Sequence, residues 1–284
     1  MAKLAVLMTC HNRREKTLNA ISALSRQHGL PPGLDIAVHL VDAGSRDGTV
    51  DAVAAKFPDV DVVRVGDDVF WGGGMRIASR RSGRFTHQLW LNDDVILDDE
   101  ALAMLLGTSR GLADRALVVG AMRSGDGTAT TYSGLRRNRA PRTPRRMWSP
   151  LVEPDGTVQP LDVCHGNAVL VPEEVHRRIG NIDRQFPHTM GDFDYGLRAR
   201  RAGIGVYLAP RHAGVCDRNP PDTGSREPGI GVREALRRQT SVRELPVRPW
   251  STYCLRHLWP WAPLMLLSPY IKTAVRATCA RYQS

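Results

Sequence analysis

The chain has 284 residues, 42% of them apolar and 24% charged, which suits a soluble protein with a substantial core in one large α/β domain with additions. Its five cysteines (Cys10, Cys164, Cys216, Cys254, Cys279) are scattered and odd in number, which excludes a secreted disulfide framework and a zinc ribbon and favours a reducing cytosol. The formal net charge of +10 predicts an anionic partner: nucleic acid, a phosphorylated ligand or an acidic membrane surface.

Leu4–Thr9 reads as a strand and Arg13–Gln27 as a helix with Ile21 and Leu24 on its apolar face. Because the run Leu4–Met8 is short and leads into polar Cys10-His11-Asn12-Arg13, no secretory signal is expected there. Ile36–Val41 is a second strand, followed by a helix from about Asp47 to Lys56. Val60–Val65 is a third strand, then a glycine-rich turn and a helix through Arg80. His87–Leu91 is a fourth strand, and Glu100–Leu106 lies in the next helix. Strands alternating with helices of this length predict a mostly parallel central sheet flanked by helices. Residues 122–160 interrupt the alternation and read as an excursion within the domain. A strand returns at Val163–Val171, and Asp192–Ala202 reads as a helix stopped by Gly203. From Asp217 the chain is basic, proline-punctuated and aromatic, so the expected division is a domain over 1–216 and an extension over 217–284. No apolar run is long enough to span a membrane.

Four stretches carry candidate chemistry. Asp42 ends an apolar strand, where a carboxylate can accept hydrogen bonds from a ribose or base; Asp47 and Thr49, just beyond, suit a turn and helix cap. Phe70-Trp71-Gly72-Gly73-Gly74-Met75-Arg76 precedes a helix, so its backbone can approach a phosphate while Arg76 adds a charge-assisted contact. Asp93 and Asp94 follow Asn92 at the end of a buried strand, where two adjacent acids repel unless a cation or polar ligand offsets them. A hard divalent ion takes one or two such carboxylates together with substrate phosphates. Finally, His188-Thr189-Met190-Gly191-Asp192-Phe193-Asp194 opens a helix whose core side holds Asp192 and Asp194 rigidly, with capping as the alternative role of Asp192.

In this order the four stretches resemble the family 2 glycosyltransferases, the large inverting group with the GT-A fold. Thr9-Cys10-His11-Asn12-Arg13 is similar to that family's opening Thr/Ser-x-x-Asn-Arg turn. Val41 through Thr49 is similar to its Asp-x-x-Ser-x-Asp-Gly-Thr signature, and Leu91-Asn92-Asp93-Asp94-Val95 to its metal-binding Asp-x-Asp region. Gly191-Asp192-Phe193-Asp194, with Leu197-Arg198 and Gly203, resembles its Glu-Asp-x-Asp block, whose second acid is the usual base. Asn92 stands in place of the first acid of the triplet and Gly191 in place of the Glu. Cys216 lies near where many relatives carry a His.

The resemblance implies a hexosyl- or deoxyhexosyltransferase that takes its sugar from a nucleoside diphosphate donor. The donor would lie against Thr9, Asn12, Arg13, Asp42, Trp71, Gly72, Gly73, Arg76, Asn92 and Asp93. Mg2+ or Mn2+ would sit on Asp94 with help from Asp93, and from Cys216 or a substitute, His212 or Asp217. Asp192 would be the base, and His165, Asn167, His188 and Asp194 would face the acceptor. The acceptor would be a glycan, glycolipid or small molecule, in cell-envelope or other polysaccharide synthesis. Trp250, Trp259, Trp261 and Tyr270, among leucines and arginines, suit the inner face of a cell membrane, packing on the catalytic domain, or a homodimer contact. Two other classes stay open: a sugar nucleotidyltransferase, which should carry a glycine-rich turn straight after the first strand, and a non-catalytic protein binding a nucleotide sugar or another anion. Nucleic-acid binding ranks last because the arginines are dispersed.

Overall fold

The computed structural model describes residues 2–138, 143, 147–218 and 223–281. Its first half alternates as expected: β1 (Lys3–Cys10), α1 (Arg14–Ser25), β2 (Asp35–Ala43), α2 (Thr49–Lys56), β3 (Asp61–Val65), α3 (Trp71–Arg81) and β4 (His87–Leu91). Then come β5 (Ile96–Leu97), α4 (Ala101–Gly111), β6 (Ala116–Arg123), β7 (Thr130–Tyr132), β8 (Gly134–Leu135), β9 (Gln159–Leu161), β10 (Val163–Cys164) and β11 (Ala168–Pro172). The chain closes with α5 (Glu173–Ile179), α6 (Gly191–Arg201), β12 (Gly205–Val215), a short 3-10 turn at Gly224–Arg226, α7 (Val232–Gln239), α8 (Val247–His257) and α9 (Ala262–Arg281).

One sheet runs in the order β3-β2-β1-β4-β11-β6-β12-β5, with β7 beside β6 and β9 beside β12. Pairing is parallel from β3 to β4 and again between β6 and β12, while β11 runs antiparallel to both its neighbours. The alternation of side chains along buried strands divides the core in two. Leu4, Val6 and Met8 of β1 and Leu89 and Leu91 of β4 point to one face, covered by α1, α2 and α4 through Ile21, Val53 and Leu102. Ala5, Leu7 and Trp90 point to the other, covered by α3, α5 and α6 through Met75, Val175 and Tyr195. Each fully buried leucine contributes roughly 1.5–3 kcal/mol.

The single strand expected over Val163–Val171 is two. β10 pairs with β8 in a separate small sheet, β11 joins the main sheet, and the chain bends between them at His165-Gly166-Asn167. The C-terminal helices are not a detached tail. Trp250, Tyr253 and Cys254 of α8, with Leu258 just past its end, share a buried cluster with Phe186, Leu197, Val163 and Met147. Trp250 Nε1 donates to the Met265 carbonyl (3.0 Å) and the Tyr270 hydroxyl to the Leu245 carbonyl (2.9 Å), so these two aromatics face inward. Among the described residues no helix is long and apolar enough to cross a membrane.

Candidate active site

The carboxyl ends of β1 and β4, the bend before β11 and the start of α6 meet around a cleft of about 850 Å3. This is the edge where open α/β sheets bind ligands, because strand ends deliver side chains there without a backbone ladder to obstruct them. Thr9, Arg13, Trp71, Asn92, Asp93, Asp94, His165, Asn167, His188 and Asp192, all expected from sequence, line it together. His11, Asp67, Phe70, Tyr132, Phe193 and Arg243 line it as well and were not among the expected site residues. Arg243 belongs to the segment between α7 and α8, nearly 240 residues from β1, so only the folded chain could bring it here.

The charge of the acid pair is partly offset by a side chain that only the fold brings onto both carboxylates. Arg13 Nη1 reaches Asp93 Oδ1 at 3.1 Å and Asp94 Oδ2 at 2.9 Å. Burial pushes the Asp93 carboxyl up to about 6, against the opposing pull of Arg13 and with the repulsion of Asp94 added. Cys216 Sγ lies 3.5 Å from Asp94 Oδ1, and burial beside that carboxylate pushes the thiol up to about 12, so it is protonated at neutral pH. Among the described residues no three His, Cys, Asp or Glu side chains converge as a metal cage. Two adjacent carboxylates nonetheless fit a hard ion that draws its remaining oxygens from a diphosphate and water, and a protonated thiol is a poor partner for one. His212 and Asp217 take no part. His212 Nε2 pairs with Thr130 Oγ1 (3.0 Å) beside a different surface hollow, and Asp217 Oδ1 accepts the Gly125 N–H (2.8 Å).

Asp42 is buried one layer behind the cleft, where its oxygens accept the Cys10 thiol (3.4 Å) and the Ser45 N–H (3.1 Å). Asn12, in the left-handed region at φ 50, does not line the cleft. Its N–H donates to Ser45 Oγ and its Oδ1 accepts the Arg46 N–H, each at 2.8 Å, clasping the β1–α1 and β2–α2 loops. Asp47 holds the Thr49 N–H (3.1 Å) and the Arg14 N–H (3.0 Å), the turn and cap role expected of it.

The triple glycine differs from its expected role. It is the first turn of α3 rather than a loop, and the Gly73 N–H already donates to the Pro187 carbonyl (3.1 Å), leaving it unavailable to a phosphate. A Cβ on Gly72 would stand 2.3 Å from the Phe186 carbonyl oxygen, and one on Gly74 would stand 3.0 Å from Thr9. The glycines therefore let α3 press against β1 and the segment before α6. Arg76 is absent from the cleft lining, and its carbonyl accepts from Asn181 (3.3 Å). Trp71 does reach the site: its Nε1 donates to Asn92 Oδ1 (2.9 Å), which gives Asn92 a positioning role where the related motif has an acid.

On the opposite wall, Asp192 Oδ1 accepts the Phe193 N–H (2.8 Å), a helix-start contact, while Oδ2 accepts the Gly166 N–H across the cleft (3.0 Å). Burial raises its pKa, and the nearby His165 partly counters that. His165 Nδ1 lies 2.9 Å from the Ser133 carbonyl, an acceptor, so Nδ1 carries the hydrogen. The His188 ring lies tilted against Phe70 with centroids 5.5 Å apart, and its buried Nδ1 has no partner among the described residues. Asn167 Nδ2 contacts Cys216 Sγ at 3.6 Å.

Asp194, expected on the acceptor side, is instead fully buried away from the cleft. Its Oδ1 accepts from Arg256 Nη1 (2.7 Å) and His257 Nε2 (2.8 Å), and Oδ2 from Arg198 Nε (2.8 Å). Burial alone would raise its pKa; the hydrogen bonds from His257 and Arg198 outweigh that and hold it below the ordinary range. The two carboxylates sit two residues apart within one helix turn, yet Asp192 faces the cleft and Asp194 ties α6 to α8.

A family model for glycosyltransferase-like family 2 matches residues 2–248, running past the boundary expected at 216. The N-acetylglucosaminyl-diphospho-decaprenol L-rhamnosyltransferases of two strains of Mycobacterium tuberculosis are each 25% identical over 198 residues, covering 61% of this chain and 64% of theirs. The crystal structure of S. aureus TarS resembles this fold with a TM-score of 0.59 at 12% identity, covering 96% of this chain and 55% of TarS. The matches thus span less than two thirds of either relative's length.

Proposed function

The chain belongs to the glycosyltransferase-like family 2, and from that premise we propose that it transfers a sugar from a nucleoside diphosphate donor to an acceptor hydroxyl with inversion, using Asp192 as general base. The observation that carries this reading is Asp192 itself: a carboxylate of raised pKa, oriented by two backbone N–H groups, on the wall of the cleft that also holds Asp93 and Asp94. The donor's base lies toward Thr9 and Asp42, and its diphosphate toward Arg13, Asp93 and Asp94. The acceptor oxygen forms a bond to the anomeric carbon as the bond from that carbon to the diphosphate oxygen breaks. The acceptor proton passes to Asp192, and the nucleoside diphosphate departs. A raised pKa makes the carboxylate a stronger base, provided it is ionised at the working pH. Arg13 supplies fixed positive charge at the diphosphate end. Mg2+ or Mn2+ held by Asp94 with Asp93 would supply further Lewis-acid charge stabilisation there.

The rhamnosyltransferase relatives support a deoxyhexose donor and a lipid-linked acceptor in cell-envelope synthesis. The basic C-terminal helices support work at the cytoplasmic face of a membrane, with residues 217–284 as the docking portion. Screening nucleotide sugars for thermal stabilisation and metal-dependent hydrolysis identifies the donor. Asp192→Asn is expected to lower turnover about 10²–10⁴-fold while leaving donor binding intact. It should also erase the acidic limb of the rate profile, along which turnover rises with pH as Asp192 ionises. Normal turnover by this variant rules the base assignment out.

A further inference from the structure

A second cavity, of about 790 Å3, opens between α7, α9 and the Gly224–Arg226 turn, and the glycosyl-transfer reading makes no use of it. Its lining combines cations with apolar surface: Arg226, Lys272 and Arg276 beside Leu264 and Met265, with Gln239 and Thr273 in the wall. Gln239 is 7% exposed, and its Oε1 has no hydrogen-bond partner among the described residues. A buried amide left this way costs stability unless something else meets it. The one acid among the described residues of the lining, Glu244, is engaged through Oε1 with the Ser225 N–H (2.7 Å).

The rim of this cavity continues into an apolar face. Leu264, Leu267, Ile271 and Val275 are each more than half exposed, and their spacing of three and four residues aligns them along one side of α9. Lys272 and Arg276 flank that stripe on the side facing the cavity. Trp259, 71% exposed, precedes α9. From Leu245 to Ser284 the sequence carries Arg248, Arg256, Lys272, Arg276 and Arg281 and no Asp or Glu. An apolar stripe edged by cations is the arrangement in which a helix lies in a bilayer surface, its leucines among the acyl chains and its cations at the phosphates.

We propose that this cavity is a headgroup site: it receives the phosphate of an anionic phospholipid between Arg226, Lys272 and Arg276 while the α9 stripe enters the leaflet. Gln239 meets a headgroup hydroxyl. The proposal rests on the membrane-surface reading above and gives it a specific ligand. It also connects lipid to catalysis, because consecutive residues serve both cavities: Arg243 lines the catalytic cleft, and Glu244 and Leu245 line this one. Docking would therefore present the acceptor-side wall to the membrane.

The test is flotation of the full chain with phosphatidylcholine vesicles, with or without added phosphatidylglycerol. Wild type is expected to float only with phosphatidylglycerol. Arg226→Glu/Lys272→Glu should lower the bound fraction at least roughly tenfold, and Leu267→Ser/Ile271→Ser should abolish flotation. Arg26→Glu/Arg84→Glu removes the same charge from exposed positions elsewhere and should retain it. Inorganic phosphate should compete with vesicles for wild type but leave the residual binding of the Arg226/Lys272 variant unchanged. A wild type that never floats overturns both the membrane reading and the headgroup site. Equal loss in the two charge-reversed pairs, or none in either, overturns the headgroup site alone. Circular dichroism and transfer to a soluble acceptor confirm that each variant is folded, and they report on the catalytic reading separately.

Discussion

On the proposed donor side of the cleft, Thr9, Asp93 and Asp94 stand at the ends of β1 and β4, two strands buried on both faces of the sheet. On the far side, Asp192, His188 and Arg243 stand on a helix start and connecting segments, held by long-range contacts such as those of Asp194 with Arg256 and His257. The first wall is rigid because backbone ladders and apolar packing define it. The second is as rigid as its ion pairs and its close contacts with α3.

The comparison can be broken at its weakest joint. Asp194→Ala leaves Arg256, Arg198 and His257 around an empty buried site and should cost about 3–5 kcal/mol. Denaturant melts would read that loss, and a smaller change would mean that apolar packing of α8 dominates. Gly72→Ala pushes a methyl group against the Phe186 carbonyl and should cost about 1–3 kcal/mol. Turnover should fall more than donor affinity, since the displaced segment leads into Asp192. An equal fall in both would mean that α3 serves both walls. The third change concerns the β1–β4 wall alone. The folded Asp93 carboxyl titrates at about 6, above the ordinary unfolded value of roughly 4. Between those values the folded state binds the extra proton, so stability falls as pH rises from about 4 to 6 and stays at the lower level above. Asp93→Asn should remove that slope, on the order of 2 kcal/mol, in melts followed across this range. An unchanged slope would place the titration elsewhere.

Much of the donor wall was legible along the chain, because its residues follow apolar strands and strand ends project at one sheet edge. That reasoning located Asp93, Asp94 and the helix start at Asp192 on the cleft, whereas Asp42 lies buried one layer behind it. It failed for residues whose partners lie far off in sequence. Arg76 and Gly73 sit beside the expected phosphate turn, yet the segment around Phe186 and Asn181 claims them. His212 and Asp217 flank Cys216, yet their contacts lie with Thr130 and Gly125.

Sequence alone determined the alternating sheet and the acidic edge, since local periodicity and strand-end position suffice for both, and the resemblance of its motifs pointed to the family. Tertiary structure decided that Arg13 bridges the acid pair, that the glycines serve packing, and that Asp192 faces the cleft while Asp194 is buried under α8. Those outcomes depend on which distant surface covers a residue, and the pattern along one helix or strand does not contain that information.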